Sequence, residues 1–171
     1  MDFYDIISDF NVEEKLEKDL GFKKFLVLGK DIQYSEKFKK DVDIGISSDV
    51  KELKQFVHHG VPAIVIKGSY INKMLLSMMK DNNTIIYLPI SDITSVYGIE
   101  RTKRIYYMKK LFEYARSKDI NIGFASFATD SFNLLSVIQL IELAKVIGAD
   151  ERYAKYSISS ISNIFSGRNE R

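Results

Sequence analysis

The sequence predicts an α/β protein with parallel strands, arranged as a small or incomplete (β/α) barrel of the TIM type. Short apolar runs rich in β-branched residues recur along the chain, and most are followed by a segment with helical spacing. The runs are apolar on both faces, which is typical of strands buried in a parallel sheet. Seven such runs within 171 residues are too many for most open doubly wound sheets. We therefore favour a barrel, and an open flavodoxin-like sheet is the alternative.

The expected strands share one build, a short apolar run that lies between turn-forming or polar residues. They span residues 3–8, 24–29, 43–47, 62–67, 84–89, 121–126 and 155–159. The chain is small for a TIM-type barrel, which typically has about 250 residues. We expect a single barrel domain over residues 1–160.

The segments between these strands carry helix signals. Helices are expected over residues 12–20, 49–58, 70–80, 100–118 and 130–146. Asp49 and Glu52 have the three-residue spacing of a capping box, and Asp130 is a second N-cap residue. Residues 161–171 are expected to form a polar C-terminal tail that is a candidate for disorder.

The composition excludes several classes of site. The chain contains no cysteine, so a disulfide framework, a zinc–thiolate centre and a cysteine nucleophile are ruled out. Hydrophobic residues make up 46% and charged residues 28%, which is the balance of a folded soluble protein. The first residues lack the pattern of a signal peptide, and charged side chains interrupt the most apolar segment, residues 134–147. We therefore expect a cytoplasmic protein.

Charge is nearly balanced overall, at a formal +2, but it is unevenly distributed. Residues 1–20 hold seven acidic and two basic side chains, a local charge of −5. Residues 21–40 hold six basic and two acidic side chains, and residues 100–118 hold seven and two, giving +4 and +5. Two basic segments on a near-neutral protein indicate a surface that faces a polyanion. Taken alone, the charge pattern is also explained by two solvated faces.

Signals for catalysis are weak. His58 and His59 are adjacent, so on a helix their side chains point about 100° apart and do not face one metal. A role at a helix C-terminus is expected for both. The sequence has no nucleophile elbow and no phosphate-binding glycine loop. Asp5, inside the first strand, is expected to be a buried structural carboxylate. The carboxylates that follow predicted strands keep a metal site as an alternative, and they are Asp9, Asp31 and Asp92.

The clearest signal lies at the start of the longest predicted helix. Arg101 and Arg104 share the stripe of its apolar residues, one turn before that stripe begins. The positive end of a helix dipole disfavours cations, so both arginines need an anionic partner. Two kinds of partner remain open: nucleic-acid phosphates, which arginine binds through two donors, or an internal carboxylate such as Asp92 or Glu100. Lys103 lies on the opposite face, where it would extend a basic surface.

The helix expected at residues 130–146 is apolar nearly all round. A helix on the outside of a barrel needs only one apolar stripe. The surplus either packs beneath neighbouring helices or forms a protein–protein interface, and we favour the interface slightly.

Several segments together resemble one protein family, ribonuclease P protein component 3 of archaea and eukaryotes. They are residues 3–7 (FYDII), 20–24 (LGFKK), 97–99 (YGI), 118–124 (KDINIGF) and 156–160 (YSISS). The resemblance covers most of the chain, in short and mostly apolar pieces. It implies a barrel related to the polymerase-and-histidinol-phosphatase class.

The resemblance implies a non-catalytic role. In that family the RNA subunit, with magnesium, removes the 5′ leader from precursor tRNA, and the protein subunits stabilise and position the RNA. Component 3 pairs with component 2 and supports the catalytic part of the RNA. The expected partners are therefore ribonuclease P RNA, precursor tRNA, component 2 and the other protein subunits, and no cofactor is expected on this chain itself.

The basic residues expected to bind RNA follow from the same resemblance. Arg101 and Arg104 match the family's basic residues near the helix start; looser matches are Lys30, Lys67 and Arg168. The first strand has no histidine, unlike the phosphoesterases of the related class. The chain is short for the family, and it lacks the arginine–proline element expected after the serine-containing strand. A metal-dependent phosphoesterase with the same kind of barrel remains the alternative function.

Overall fold

The computed structural model of the chain describes residues 1–68 and 71–166. Its strands are β1 Tyr4–Ile7, β2 Lys24–Val27, β3 Tyr34–Ser35, β4 Ile44–Ser47, β5 Ala63–Ile66, β6 Ile85–Pro89 and β7 Ile122–Ala125. Its helices are α1 Glu14–Asp19, α2 Val50–His58, α3 Lys73–Asp81, α4 Ser91–Thr94, α5 Gly98–Ser117, α6 Val137–Ile147, α7 Glu151–Ser159 and α8 Ile161–Ser166. None of the helices within these residues is long and apolar enough to cross a lipid bilayer.

The strands form two parallel sheets that adjoin at one seam. Five strands are ordered β3-β4-β5-β6-β7, and β1 pairs with β2. Beyond the end of β7, Phe127 N donates to Ile6 O at 2.8 Å and Ser8 N donates to Ala128 O at 2.9 Å, which joins β7 to β1. The described strands do not form a closed barrel. The prediction of an α/β fold with an incomplete parallel barrel is confirmed.

Both faces of the curved sheet are buried, which explains why the strands are apolar throughout. On one face Ile7, Ile64 and Phe124 pack against the helices α2, α3, α5, α6 and α7. On the other face Ile6 and Val65 belong to a second cluster, to which α8 is the one described helix that contributes buried side chains. Neighbouring residues of a strand therefore point into two different apolar layers.

Most predicted elements are present within two or three residues of the expected bounds. The start of α2 follows the capping rule, because the Asp49 carboxylate accepts a hydrogen bond from Lys51 N at 2.7 Å. Asn72 caps α3 in the same way by accepting from Leu75 N at 2.9 Å. This helix was expected to begin at residue 70, which lies outside the described residues.

One predicted strand is wrong, and one strand is missed. Residues 155–159, expected as a strand, belong to helix α7. Asp150 caps this helix by accepting from Tyr153 N at 2.8 Å, and its buried residues Ala154 and Ile158 are four apart, the spacing of one helix face. The sheet instead contains the two-residue strand β3, which sequence analysis does not predict.

The helix expected at 130–146 is divided. Asp130 caps only a 3₁₀ turn, Ser131–Asn133. Helix α6 begins after Ser136, which forms a capping box with Gln139.

The expected polar tail also differs at its start, because Ile161–Ser166 is the helix α8. Ile161 and Phe165 are buried against the sheet, so this segment contributes to the core. Residues 167–171 of the expected tail lie outside the described residues.

The seam between β1 and β7 is held by the carboxylate of Asp5. Its Oδ1 accepts hydrogen bonds from Ser126 N at 2.6 Å and Ile6 N at 2.9 Å. Its Oδ2 is buried and has no hydrogen-bond partner among the described residues. Burial raises the pKa of Asp5 to about 7, against the opposing effect of the bonds from Ser126 and Ile6. The prediction that Asp5 is a structural carboxylate agrees with this geometry.

Asp5 makes stability depend on pH. The folded-state pKa lies above the unfolded value of about 4, so the folded chain keeps the proton that the unfolded chain releases between about pH 4 and 7. The contribution of Asp5 to the unfolding free energy is full below about pH 4. It is lost as the pH rises to 7, by up to about 1.4 kcal/mol per pH unit.

We expect the difference in unfolding free energy between the wild type and Asp5→Asn to shift in favour of the variant as the pH rises from 5 to about 7. Urea unfolding at several pH values measures it, and other titrating groups cancel in the difference. Parallel pH profiles for the two proteins would contradict the assignment.

Gly123 in β7 is required by packing. A Cβ built at this position would overlap the ring of Tyr87, which is fully buried on the neighbouring strand. Gly123→Ala should therefore destabilise the protein by about 1–3 kcal/mol in chemical denaturation. In the Gly123→Ala background, Tyr87→Leu should lower the unfolding free energy by less than it does in the wild type. An unchanged unfolding free energy for Gly123→Ala would refute this packing.

Candidate functional site

Five of the six basic residues expected to bind RNA lie within the described residues. They are Lys30, Lys67, Arg101, Lys103 and Arg104. All five follow the carboxyl ends of strands, after β2, β5 and β6, so they share one edge of the sheet. This edge, called the carboxyl edge below, is where parallel barrels carry their functional loops. Arg168 lies outside the described residues.

A cavity of about 240 Å³ opens at this edge. Its polar lining includes Ser8, Tyr34, Lys67, Ser91, Asp92 and Thr129. These side chains lie in β3 or just after β1, β5, β6 and β7, so the seam between β1 and β7 helps to bring them around one opening.

Lys30 and Lys67 at the edge already have carboxylate partners. Lys67 Nζ lies 2.6 Å from Glu36 Oε1, and Lys30 Nζ lies 2.6 Å from Asp9 Oδ1. Both pairs are more than half exposed, so each contributes little to stability and opens readily. An incoming phosphate would compete with a carboxylate for each lysine.

Arg104 takes the internal partners that the sequence left open. Its guanidinium lies 3.8 Å from Asp92 Oδ2 and 3.8 Å from Glu100 Oε1. These distances allow an ion pair but exceed a hydrogen bond, and the buried Nε has no hydrogen-bond partner in the described part of the chain. Arg104 thus lies between two acidic side chains. It forms long ion pairs with both but no hydrogen bond to either, so its positive charge is only partly compensated.

Asp92 has an altered acidity. Burial raises its pKa above the ordinary value, while the positive charges of Arg104 and then Lys67 act in the opposite direction. The pKa of Asp92 is therefore sensitive to the presence of the Arg104 and Lys67 side chains.

Arg101 differs from the other cations. Its Nε donates to Val96 O at 2.7 Å, and its guanidinium carbon lies 5.0 Å from the centre of the Tyr97 ring. No acidic side chain of the described residues pairs with it. Lys103 is exposed and lies 3.6 Å from Glu100. Sequence analysis does not single out Tyr97, although its spacing of four residues from Arg101 at a helix start is the signal that links the two.

The donor set does not fit a metal ion. In residues 1–68 and 71–166, no three His, Cys, Asp or Glu side chains converge on one point. The carboxylates Asp9, Asp31 and Asp92 are each within ion-pair distance of a Lys or Arg. His58 and His59 lie at the carboxyl end of α2, at the opposite edge of the sheet, as expected for residues that cap a helix end.

Helix α6 is less uniformly apolar on its surface than the sequence indicates. One face is buried, through Val137, Leu140, Ile141, Ala144 and Ile147. The exposed apolar side chains in and before this helix are Phe132, Ile138 and Val146. An interface here stays a prediction.

Replacing Arg104 tests the ion pair directly. We expect Arg104→Met to raise the pKa of Asp92 further, because the nearest positive charge that favours the carboxylate is lost. A carboxyl NMR titration measures this pKa. Lys110→Met is the control, since Lys110 pairs with Glu113 and not with Asp92. An Asp92 pKa that stays constant or falls in Arg104→Met contradicts the pairing.

Comparison of the sequence with known proteins finds two curated relatives, both named ribonuclease P protein component 3. The protein of Methanosarcina barkeri is 27% identical, over 78% of this chain and 59% of the relative. That of Methanosarcina acetivorans is 25% identical, over 60% of this chain and 43% of the relative. The chain thus spans about half the length of these relatives. No family model matches the chain.

Solved structures with a similar fold include a chain in the cryo-EM structure of archaeal ribonuclease P with mature tRNA. The TM-score is 0.78 at 16% identity, over 98% of this chain and 91% of that chain. A Xaa-Pro dipeptidase reaches a TM-score of 0.50 at 14% identity, over 91% of this chain and 36% of the larger enzyme. At these identities the likeness shows the fold alone. The chain is similar in sequence to ribonuclease P protein component 3 and shares the fold of an archaeal ribonuclease P protein, which confirms the resemblance its residues indicate.

Proposed function

We propose that this chain acts as a non-catalytic protein subunit of ribonuclease P, the RNA-based endonuclease that removes 5′ leaders from precursor tRNA. The observation that carries the proposal is the agreement of two likenesses, one in sequence and one in fold. The curated relatives by sequence and the neighbour by fold both point to the same complex. The curated relatives are longer than this chain. The proposal therefore gives the chain a supporting role within such a complex and does not assign it every function of the longer relatives.

A supporting role fits the chemistry of the carboxyl edge. The carboxylates that would act as bases or metal ligands are engaged by Lys30, Lys24 and Arg104. Bond cleavage is therefore assigned to the RNA subunit, which uses magnesium, and this chain is proposed to bind no cofactor of its own.

RNA binding is proposed for the carboxyl edge, with Arg101 as the principal contact. Arg101 has no carboxylate to displace among the described residues, so a phosphate would interact with the full positive charge of its guanidinium. Lys30, Lys67, Lys103 and Arg104 would contribute by exchanging a carboxylate for a phosphate, and each exchange returns less free energy. Arg168 is proposed as a further contact on the family resemblance.

The proposed partners are ribonuclease P RNA, precursor tRNA held by the assembled complex, component 2 and other protein subunits. Exposed Ile138 on α6 is one apolar side chain that a protein partner would cover.

Reconstituted cleavage of precursor tRNA tests the function. We expect the isolated chain to cleave nothing with magnesium, and its addition to the RNA and the other subunits to raise the rate. Cleavage by the chain alone, or no effect on the reconstituted rate, would contradict the proposal.

The Arg101 contact is tested by the salt dependence of RNA binding. Each phosphate contact contributes about −0.7 to −0.9 to the slope of log affinity against log salt. Arg101→Ala should weaken binding and make this slope shallower by about that amount, whereas Lys110→Ala should leave it unchanged. Equal slopes for wild type and Arg101→Ala would remove Arg101 from the interface.

A further inference from the structure

Tyr97 is an aromatic ring exposed to solvent at the carboxyl edge, immediately before α5. Its relative exposure is 79%. One face of the ring is covered by the Arg101 guanidinium, whose carbon lies 5.0 Å from the ring centre. With 79% of the residue accessible, the opposite face is open. A ring with a cation behind it and solvent in front offers one planar surface for a ligand.

The pair is held in place by the backbone around it. Arg101 Nε donates to Val96 O at 2.7 Å, which fixes the guanidinium beside the ring. The two terminal guanidinium nitrogens make no hydrogen bond to the described residues. They remain available for an anion close to whatever covers Tyr97. The geometry therefore places an open aromatic face and an unsatisfied cation within one nucleotide's reach.

We propose that Tyr97 stacks on an unpaired nucleobase, and that Arg101 binds a phosphate of the same RNA strand. The inference rests on the proposed function, and it deepens it by naming single-stranded RNA as the element recognised here. Bases inside a duplex have both faces covered by neighbouring pairs, whereas an unpaired base has a face free to lie on the ring.

A comparison with Phe132 explains why RNA is favoured over an apolar protein segment at Tyr97. Phe132 is 97% exposed and follows β7 at the same edge, but its backbone N–H donates to the carboxylate of the acid Asp130 at 3.0 Å. Tyr97 instead carries a cation. The charge beside Tyr97 suits a polyanion, and the charge beside Phe132 does not.

Binding of the full chain to two RNA probes tests the proposal. The probes are a short unstructured RNA and the duplex that it forms with its complement, measured by fluorescence anisotropy. Tyr97→Leu keeps an apolar side chain but removes the ring, so it should lower affinity for the single strand at least about fivefold. Affinity for the duplex should stay the same. Tyr97→Phe should bind both probes as the wild type does.

Phe132→Leu is the matched control, since it removes a ring that is also exposed, at 97% against 79% for Tyr97, and that no cation of the described residues covers, and it should bind as the wild type does. Thermal unfolding of each variant checks that it is folded, as expected for exposed side chains.

Wild-type affinity of Tyr97→Leu for the single strand overturns the stacking and leaves the proposed function standing. An equal loss for Tyr97→Leu and Phe132→Leu overturns it as well, because the effect then follows exposed apolar surface. The stacking is also overturned if Tyr97→Leu binds RNA normally but fails to join the other protein subunits. That result would assign Tyr97 to a protein contact. A wild-type chain that neither binds RNA nor stimulates reconstituted cleavage overturns both proposals.

Discussion

The arrangement of this protein depends on the seam between β1 and β7. Only the ends of the two strands meet, and the Asp5 carboxylate supplies the contact that the backbone ladder lacks by accepting the Ser126 N–H. The seam, together with the packing of β1 against α7 and α8, fixes the β1–β2 pair beside the five-stranded sheet. The basic residues share one edge because they follow parallel strands, and the seam at Asp5 places the loops after β1 and β2 beside those after β5 and β6.

Charges on the carboxyl edge are paired, and this pairing decides which of them is available to a ligand. Lys30, Lys67 and Arg104 each have a carboxylate within 4 Å. Arg101 has a carbonyl oxygen and an aromatic ring as its neighbours instead. In the RNA binding proposed for this surface, a cation without a carboxylate partner among the described residues makes the strongest contact, and a cation that must exchange a carboxylate makes a weaker one.

The sequence predicts elements well where burial acts along the whole segment. β5 and β6 are buried on both faces, so they are continuous apolar runs in the sequence. Helix α7 is not predictable in this way, because polar and apolar residues alternate over positions 155–159 as they do in a strand. The Asp150 cap and the burial of Ala154 and Ile158 decide for a helix, and burial is a property of the fold. β3 is two residues long and has no apolar run to detect.

The site was predictable in its residue types but not in its pairing. Arg101 and Arg104 stand out because they share the apolar stripe of α5 against the helix dipole. That Arg104 meets Asp92 while Arg101 meets Tyr97 depends on the path of the loop between β6 and α5. The pair of Lys67 with Glu36 joins residues 31 apart in the chain, and it follows from β3 lying beside β4.

The most direct test of the central claim is site-specific cross-linking to ribonuclease P RNA in the reconstituted complex. A photoreactive side chain replaces Ile99, which is exposed at the carboxyl edge, or His58, which is exposed at the opposite edge. The account predicts RNA cross-links from position 99 and none from position 58. Cross-links from position 58 alone, or from neither position in an active complex, would contradict the claim that the carboxyl edge holds the RNA.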